Sequence, residues 1–254
     1  ELWLDLLRKK DGWFLMDIQQ THQEQTILLY RISWFLLVRI LTLDLSGFTN
    51  NVSGGTLTIN DSTGNEVITG TAGNDIINLT TGSDNVGLGD GNDTINIAIG
   101  NLDNADTING GNGTDTLNFT TSGSLTSTDF ENVSGIETIN LANGNTLTQT
   151  NNTLNGVSIN GGTGDDTFVF DDAILSSDDT INGGSGTDTL KISDSANLVD
   201  LDFTNLSSIE TLDLSDNTNS VTLGSEALAA GINDVNGGAG NDTFSLSLDF
   251  TNVG

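Results

Sequence analysis

An ungapped nine-residue period runs through residues 70–96, which divide into GTAGNDIIN, LTTGSDNVG and LGDGNDTIN. Each unit places Gly fourth (Gly73, Gly82, Gly91), Asp sixth (Asp75, Asp84, Asp93) and one apolar residue eighth (Ile77, Val86, Ile95). After an insert at 97–100 the register resumes as NLDNADTIN and GGNGTDTLN, which adds Asp106 and Asp115. A period of nine fits no helix. It fits a chain that turns, makes a very short strand with one inward residue, and turns again.

Each place in the unit has a task. Glycine at the fourth place lets the backbone pass through positive φ without Cβ strain, and the carboxylate two residues later projects into that turn. Two units make one coil of a right-handed parallel β-helix or β-roll, so residues 18 apart stack and Asp75 and Asp93 face one gap between coils. Stacked carboxylates repel. A hard, oxygen-seeking cation of tolerant geometry, joined by turn carbonyls, converts that repulsion into a bridge, and calcium is the expected ion.

Four stretches carry the pattern in its fullest form: GGNGTDTLN (110–118), already named, and GGTGDDTFV (161–169), GGSGTDTLK (183–191) and GGAGNDTFS (237–245). They match G-G-x-G-x-D-x-U-x, and the chain resembles the RTX calcium-binding nonapeptide proteins. The expected ligands are Asp75, Asp84, Asp93, Asp106, Asp115, Asp166, Asp179, Asp188 and Asp242, with the turn glycines Gly73, Gly91, Gly113, Gly164, Gly186 and Gly240. Asp106 departs from the pattern, since Asn104 stands where Gly is usual, and the unit at 228–236 has Asn233 at its sixth place. Residues 46–69 lack the Gly-x-Asp turn, so no calcium is expected there.

Composition agrees with a solenoid whose core is a narrow apolar column. The 254 residues include 31 Gly, no Pro and no Cys, with aromatics at 6%. Net charge is −29, and five of the six Lys and Arg (Arg8, Lys9, Lys10, Arg31, Arg39) fall in the first 45 residues, leaving Lys191 alone for the rest. A surface so poor in cations excludes nucleic-acid phosphates as a partner and favours divalent cations. A chain this acidic lies toward the disordered side of the charge–hydropathy divide until metal neutralises it, so folding is expected to be coupled to calcium.

Five segments follow from the patterning. Residues 1–45 form an atypical leader outside the solenoid that holds all three Trp (Trp3, Trp13, Trp34), the sole Tyr30, His22 and Met16. Its apolar run at 27–45 suits a helix, and membrane contact is expected only through that run, which Arg31 and Arg39 interrupt. Residues 46–87 hold the first coils. Residues 88–160 and 161–236 are two units of a longer repeat with an offset of 73, and 237–254 opens a third. The middle of each unit repeats as FENVSGIETINL and FTNLSSIETLDL (130–141 and 203–214), and apolar residues at Leu117, Ile139 and Ile159 imply metal-free coils between calcium-bearing ones.

Catalysis finds little support in the residue inventory. Glu137 and Glu210 occupy the same place in the repeat, which marks them as structural. Without Cys, and with His22 confined to the leader, neither a Ser-His-Asp site nor a zinc site can be assembled in the repeats. The resemblance implies an extracellular, secreted or bacterial-surface protein of adhesin or S-layer type, exported by a type I system, with a cell surface or polysaccharide as a further partner. The alternative it leaves open is an accessory module of a secreted enzyme whose catalytic domain lies elsewhere.

Overall fold

The computed structural model describes residues 57–154 and 156–247, together with the backbone of Leu4–Arg8, Phe14–Ile18 and Ile40–Asp44. Its strands pair in parallel throughout the repeats; of the Asn-Gly pairs that would ordinarily close hairpins, those at Asn160, Asn182 and Asn236 end a strand, and Asn109-Gly110 lies within the strand Thr107–Asn112. One eight-stranded sheet runs the length of the solenoid, from Leu57–Asn60 through Thr94–Ile97 and Thr138–Asn140 to Leu206–Ser207. The protein is an all-β parallel β-solenoid.

The opposite face changes hands midway. A five-stranded sheet from Ile40–Asp44 to Val133–Ser134 covers the first coils, and a six-stranded sheet from Ser124–Thr126 to Asp234–Asn236 covers the later ones. At the handover Phe130, on the short 3-10 turn Ser127–Phe130, is 1% exposed and meets Phe119 edge to face at 6.2 Å. The equivalent turn Asp200–Phe203 lies 73 residues on, which is the offset of the sequence repeat.

Alternation along each strand builds the core. In Thr94–Ile97 the apolar residues face in and Thr94 and Asn96 face out. Coil upon coil, Ile77, Ile95, Leu117, Ile139, Ile159 and Ile181 form one column, in register and all but Ile159 fully buried. Burying each stabilises the rod by roughly 1.5–3 kcal/mol. Outside, the side-chain amide of each of Asn78, Asn96, Asn118, Asn140 and Asn160 donates to Oδ1 of the Asn one coil earlier at 2.7–3.1 Å, a ladder that begins at Asn60. It crosses from the Gly-x-Asp coils into the coils that lack them.

Two features depart from the sequence expectation. Ile40–Asp44, assigned to the leader, pairs in parallel with Asn65–Thr69, because its Leu41-Thr42-Leu43 alternation suits a strand and places Leu43 opposite Ile68. Where the leader is otherwise described it is extended rather than helical: Leu4–Arg8 and Phe14–Ile18 pair antiparallel. Residues 19–39, with most of the apolar run at 27–45, lie outside the described residues. Among the described residues no helix is long and apolar enough to cross a membrane. The one α-helix among the described residues, Ser225–Ala230, sits in the second long unit.

Candidate metal centres

Each turn carboxylate stands just before a strand or at its first residue, after a glycine turn in every unit except those of Asp106 and Asp179, where Asn104 and Ser177 take the glycine's place. Positive φ occurs at Gly91 (125°), Gly113 (143°), Gly164 (91°), Gly186 (150°) and Gly240 (146°). Gly73 does not share it, so the fourth-place glycine of the earliest unit is not required for that reason.

The aspartates form ladders. The backbone N–H of Asp75 donates to Oδ1 of Asp93 at 2.7 Å, that of Asp93 to Oδ1 of Asp115 at 2.7 Å, and that of Asp115 to Oε2 of Glu137 at 2.7 Å. On the opposite side Glu66 N–H donates to Asp84 Oδ1 (2.9 Å) and Asp84 N–H to Asp106 Oδ1 (2.8 Å). A third ladder runs Asn145 to Asp166 to Asp188 to Glu210 at 2.6, 2.8 and 2.8 Å. Glu137 and Glu210 thus end their ladders. Their longer side chains carry a carboxylate back from a coil that has no Gly-x-Asp turn.

Asp106, Asp179 and Asp242 are placed differently. Asp106 also accepts from the N–H of Asp103 within its own loop (3.0 Å), and Asp179 is held by the N–H of Ser176 (2.7 Å). Asp242 accepts from both the backbone and the side chain of Asn219, at 3.0 and 2.8 Å.

In four of the ladder carboxylates only one oxygen is used. Oδ2 of Asp93, Asp115, Asp166 and Asp188 is buried with no hydrogen-bond partner. A buried acceptor without a partner costs on the order of 1–3 kcal/mol, more when charged. Beside each Oδ2 of the best repeats lies the first glycine of the unit, whose missing side chain leaves room for oxygens. A Cβ at Gly110 would overlap the Gly135 carbonyl oxygen and lie 2.7 Å from Asp115 Oδ2; at Gly161 it would overlap the Gly183 carbonyl and lie 2.8 Å from Asp166 Oδ2. Carboxylate and carbonyl oxygens from successive coils therefore converge at these first-place glycines. The sequence reading chose the fourth-place glycines and passed over these, although the doubled Gly of each unit signals them.

Burial raises the proton affinity of the ladder. It pushes Asp93 to about 7, with the Asp75 and Asp115 charges adding to the rise and the Asp75 N–H opposing it. Asp166 is pushed to about 6 by burial and by the Asp188 charge. Asp75, Asp84, Asp106, Asp115, Asp179 and Asp188 are all raised, burial being the largest cause in each. Desolvation and like-charge repulsion are the two costs that a bound divalent cation offsets. The donor set is oxygen throughout, which suits calcium. Asp93, Asp115, Asp166 and Asp188, with the turn carbonyls beside Gly110, Gly161 and Gly183, would hold it.

Parallel coils with stacked, half-satisfied carboxylates define a class, the cation-accepting β-solenoids. The family model of the RTX calcium-binding nonapeptide repeat matches four stretches, residues 61–95, 102–119, 175–190 and 229–247. No curated protein and no solved structure matches the chain. The chain thus carries RTX-type calcium-binding nonapeptide repeats over those four stretches.

Proposed function

We propose that the protein is a non-enzymatic, extracellular rod of a bacterial secreted or surface protein, folded by calcium and serving a structural or adhesive role. The observation that carries this is the row of buried, unpartnered Oδ2 atoms aligned from coil to coil. Calcium neutralises the row, pins successive coils and stiffens the solenoid. In a calcium-poor cytosol the chain remains unfolded and fit for export, and outside it folds; extracellular calcium modules work at roughly 10⁻⁴–10⁻³ M. RTX repeats as a secreted-protein module support the location. The scarcity of cationic side chains, with Lys191 alone after residue 45, supports a non-catalytic role.

Small-angle X-ray scattering tests the reading. In millimolar calcium the expected profile is that of a thin rod, and in chelator that of an expanded coil. An identical compact rod in both conditions would contradict calcium-driven folding.

A further inference from the structure

The coil least expected to bind metal carries three converging carboxylates. Residues 61–69 (DSTGNEVIT) occupy the nine-residue frame with Glu66 where Asp is usual at the sixth place and Asp61 where Gly is usual at the first. Both changes hide the unit from a search for Gly-x-Asp. In the fold, ligand oxygens of Asp61, Glu66 and Asp84 all lie within 4.8 Å of one another. Two oxygens at about 2.6 Å from one calcium can be up to about 5.2 Å apart, so the cluster already has the dimensions of one site.

The hydrogen bonds around the cluster hold each carboxylate by one oxygen and leave another free. Asp61 Oδ2 accepts from the N–H and hydroxyl of Thr80 at 3.0 and 3.1 Å, and Glu66 Oε1 accepts from the Ser62 hydroxyl at 2.8 Å. Asp84 Oδ1 accepts from the Glu66 N–H at 2.9 Å. Asp61 Oδ1 and Glu66 Oε2 are buried with no partner, on residues that face one another. Glu66 is 5% exposed and Asp84 3%, so solvent does not relieve the repulsion.

We infer that Asp61 and Glu66, both outside the Gly-x-Asp pattern, join the turn aspartate Asp84 in a calcium site that is the tightest in the solenoid. Its charge sets it apart. A ladder turn offers carboxylates one per coil together with carbonyls, whereas here Asp61 adds a carboxylate in the place of the glycine that keeps other turns neutral. More ligand charge in a preformed site raises affinity, and about tenfold over the turn sites is expected. The site lies in the first described coils, so it fills first and gives the later coils a folded edge on which to build. The inference rests on this cluster, not on metal at the turns.

Terbium(III) and calcium titrations of the full chain, in metal-depleted buffer at pH 8, test it. Wild type should show one tight ion per chain ahead of a weaker class, and Glu66→Gln and Asp61→Asn should each abolish the tight class while leaving the weaker one. Asp166→Asn, in a distant ladder, should leave the tight class intact. Gln at 66 keeps an oxygen for Ser62 and Asn at 61 keeps one for Thr80, so calcium-dependent circular dichroism in either variant shows that the fold survives. A tight class that is absent from wild type, or unchanged in both variants, overturns the inference. Turn binding that persists in that case leaves the proposed function standing, whereas no cation binding at all defeats both.

Discussion

The backbone N–H of Asp93 donates to Oδ1 of Asp115 at 2.7 Å, while Oδ2 of the same Asp115 is buried with no partner. One oxygen fixes the carboxylate to the coil before it, and the other waits for a cation. Removing the charge but keeping the shape separates these roles. Asp115→Asn should raise the calcium midpoint for folding about three- to tenfold, an order-of-magnitude expectation for one lost charged ligand. The metal-free form should be no less stable than wild type. A calcium titration followed by circular dichroism measures both, and an unchanged midpoint would remove Asp115 from the ligand set.

Proton linkage gives the second expectation. The folded-state pKa of Asp93 lies near 7 and that of Asp166 near 6, both above the values the same groups have in an unfolded chain. A carboxyl raised on folding contributes stability that is fully present below its unfolded pKa and is lost as pH rises through its folded pKa. In metal-depleted buffer the chain, largely unordered at pH 8, should therefore gain β-structure as pH falls through 7 and 6 toward 4.5. With calcium the dependence reverses, because protons compete for the ligands: the calcium midpoint should rise as pH drops from 7.5 to 5.5. Circular dichroism at stepped pH in metal-depleted buffer, and calcium titrations at matched pH, check both signs.

Glycines in the same nine-residue frame should respond differently to alanine. At Gly110 a Cβ would overlap the Gly135 carbonyl oxygen, so Gly110→Ala must push two coils apart. At Gly87 a Cβ would meet nothing within 4 Å, and φ is not positive there. Gly110→Ala should cost about 2 kcal/mol or more in calcium and Gly87→Ala less than about 0.5 kcal/mol, within the usual ranges for backbone strain and for innocuous surface changes. Thermal unfolding of the two variants in calcium compares them directly.

The apolar column should matter equally in coils without turn aspartates. Ile139 is 0% exposed and pairs in register with Leu117 before it and Ile159 after it. Ile139→Ala should destabilise the calcium-loaded protein by about 2–5 kcal/mol through lost burial and the cavity left behind. Saturating calcium should not restore it, because no ion reaches that column. Chemical denaturation at two calcium concentrations distinguishes this from a ligand defect.

Much of this architecture can be read from the sequence because a solenoid is nearly one-dimensional. Once Asp75, Asp84 and Asp93 fix the frame, the stacking of residues 18 apart follows, and the spacing of Leu117, Ile139 and Ile159 extends it through coils without aspartate. What escaped depends on contacts outside the frame. The helix Ser225–Ala230 is set by Asp200, whose carboxylate accepts the N–H groups of Glu226 and Ala227, a contact 26 and 27 residues away. The ladder ends at Glu137 and Glu210 escaped as binding elements because only three-dimensional stacking shows that the longer side chain reaches the preceding coil. Glu66 escaped because Glu stands for Asp in a unit whose first glycine is itself an aspartate. The strand Ile40–Asp44 is hidden by the apolar run before it, which draws the boundary after residue 45, six residues too late.

The most direct test is far-ultraviolet circular dichroism of the purified chain at pH 7.5, first in chelator and then with calcium added to several millimolar. The ladder of half-satisfied carboxylates requires a largely unordered spectrum in chelator and a cooperative rise of β-structure with calcium. Full β-structure in chelator, with no change on adding calcium, would contradict it.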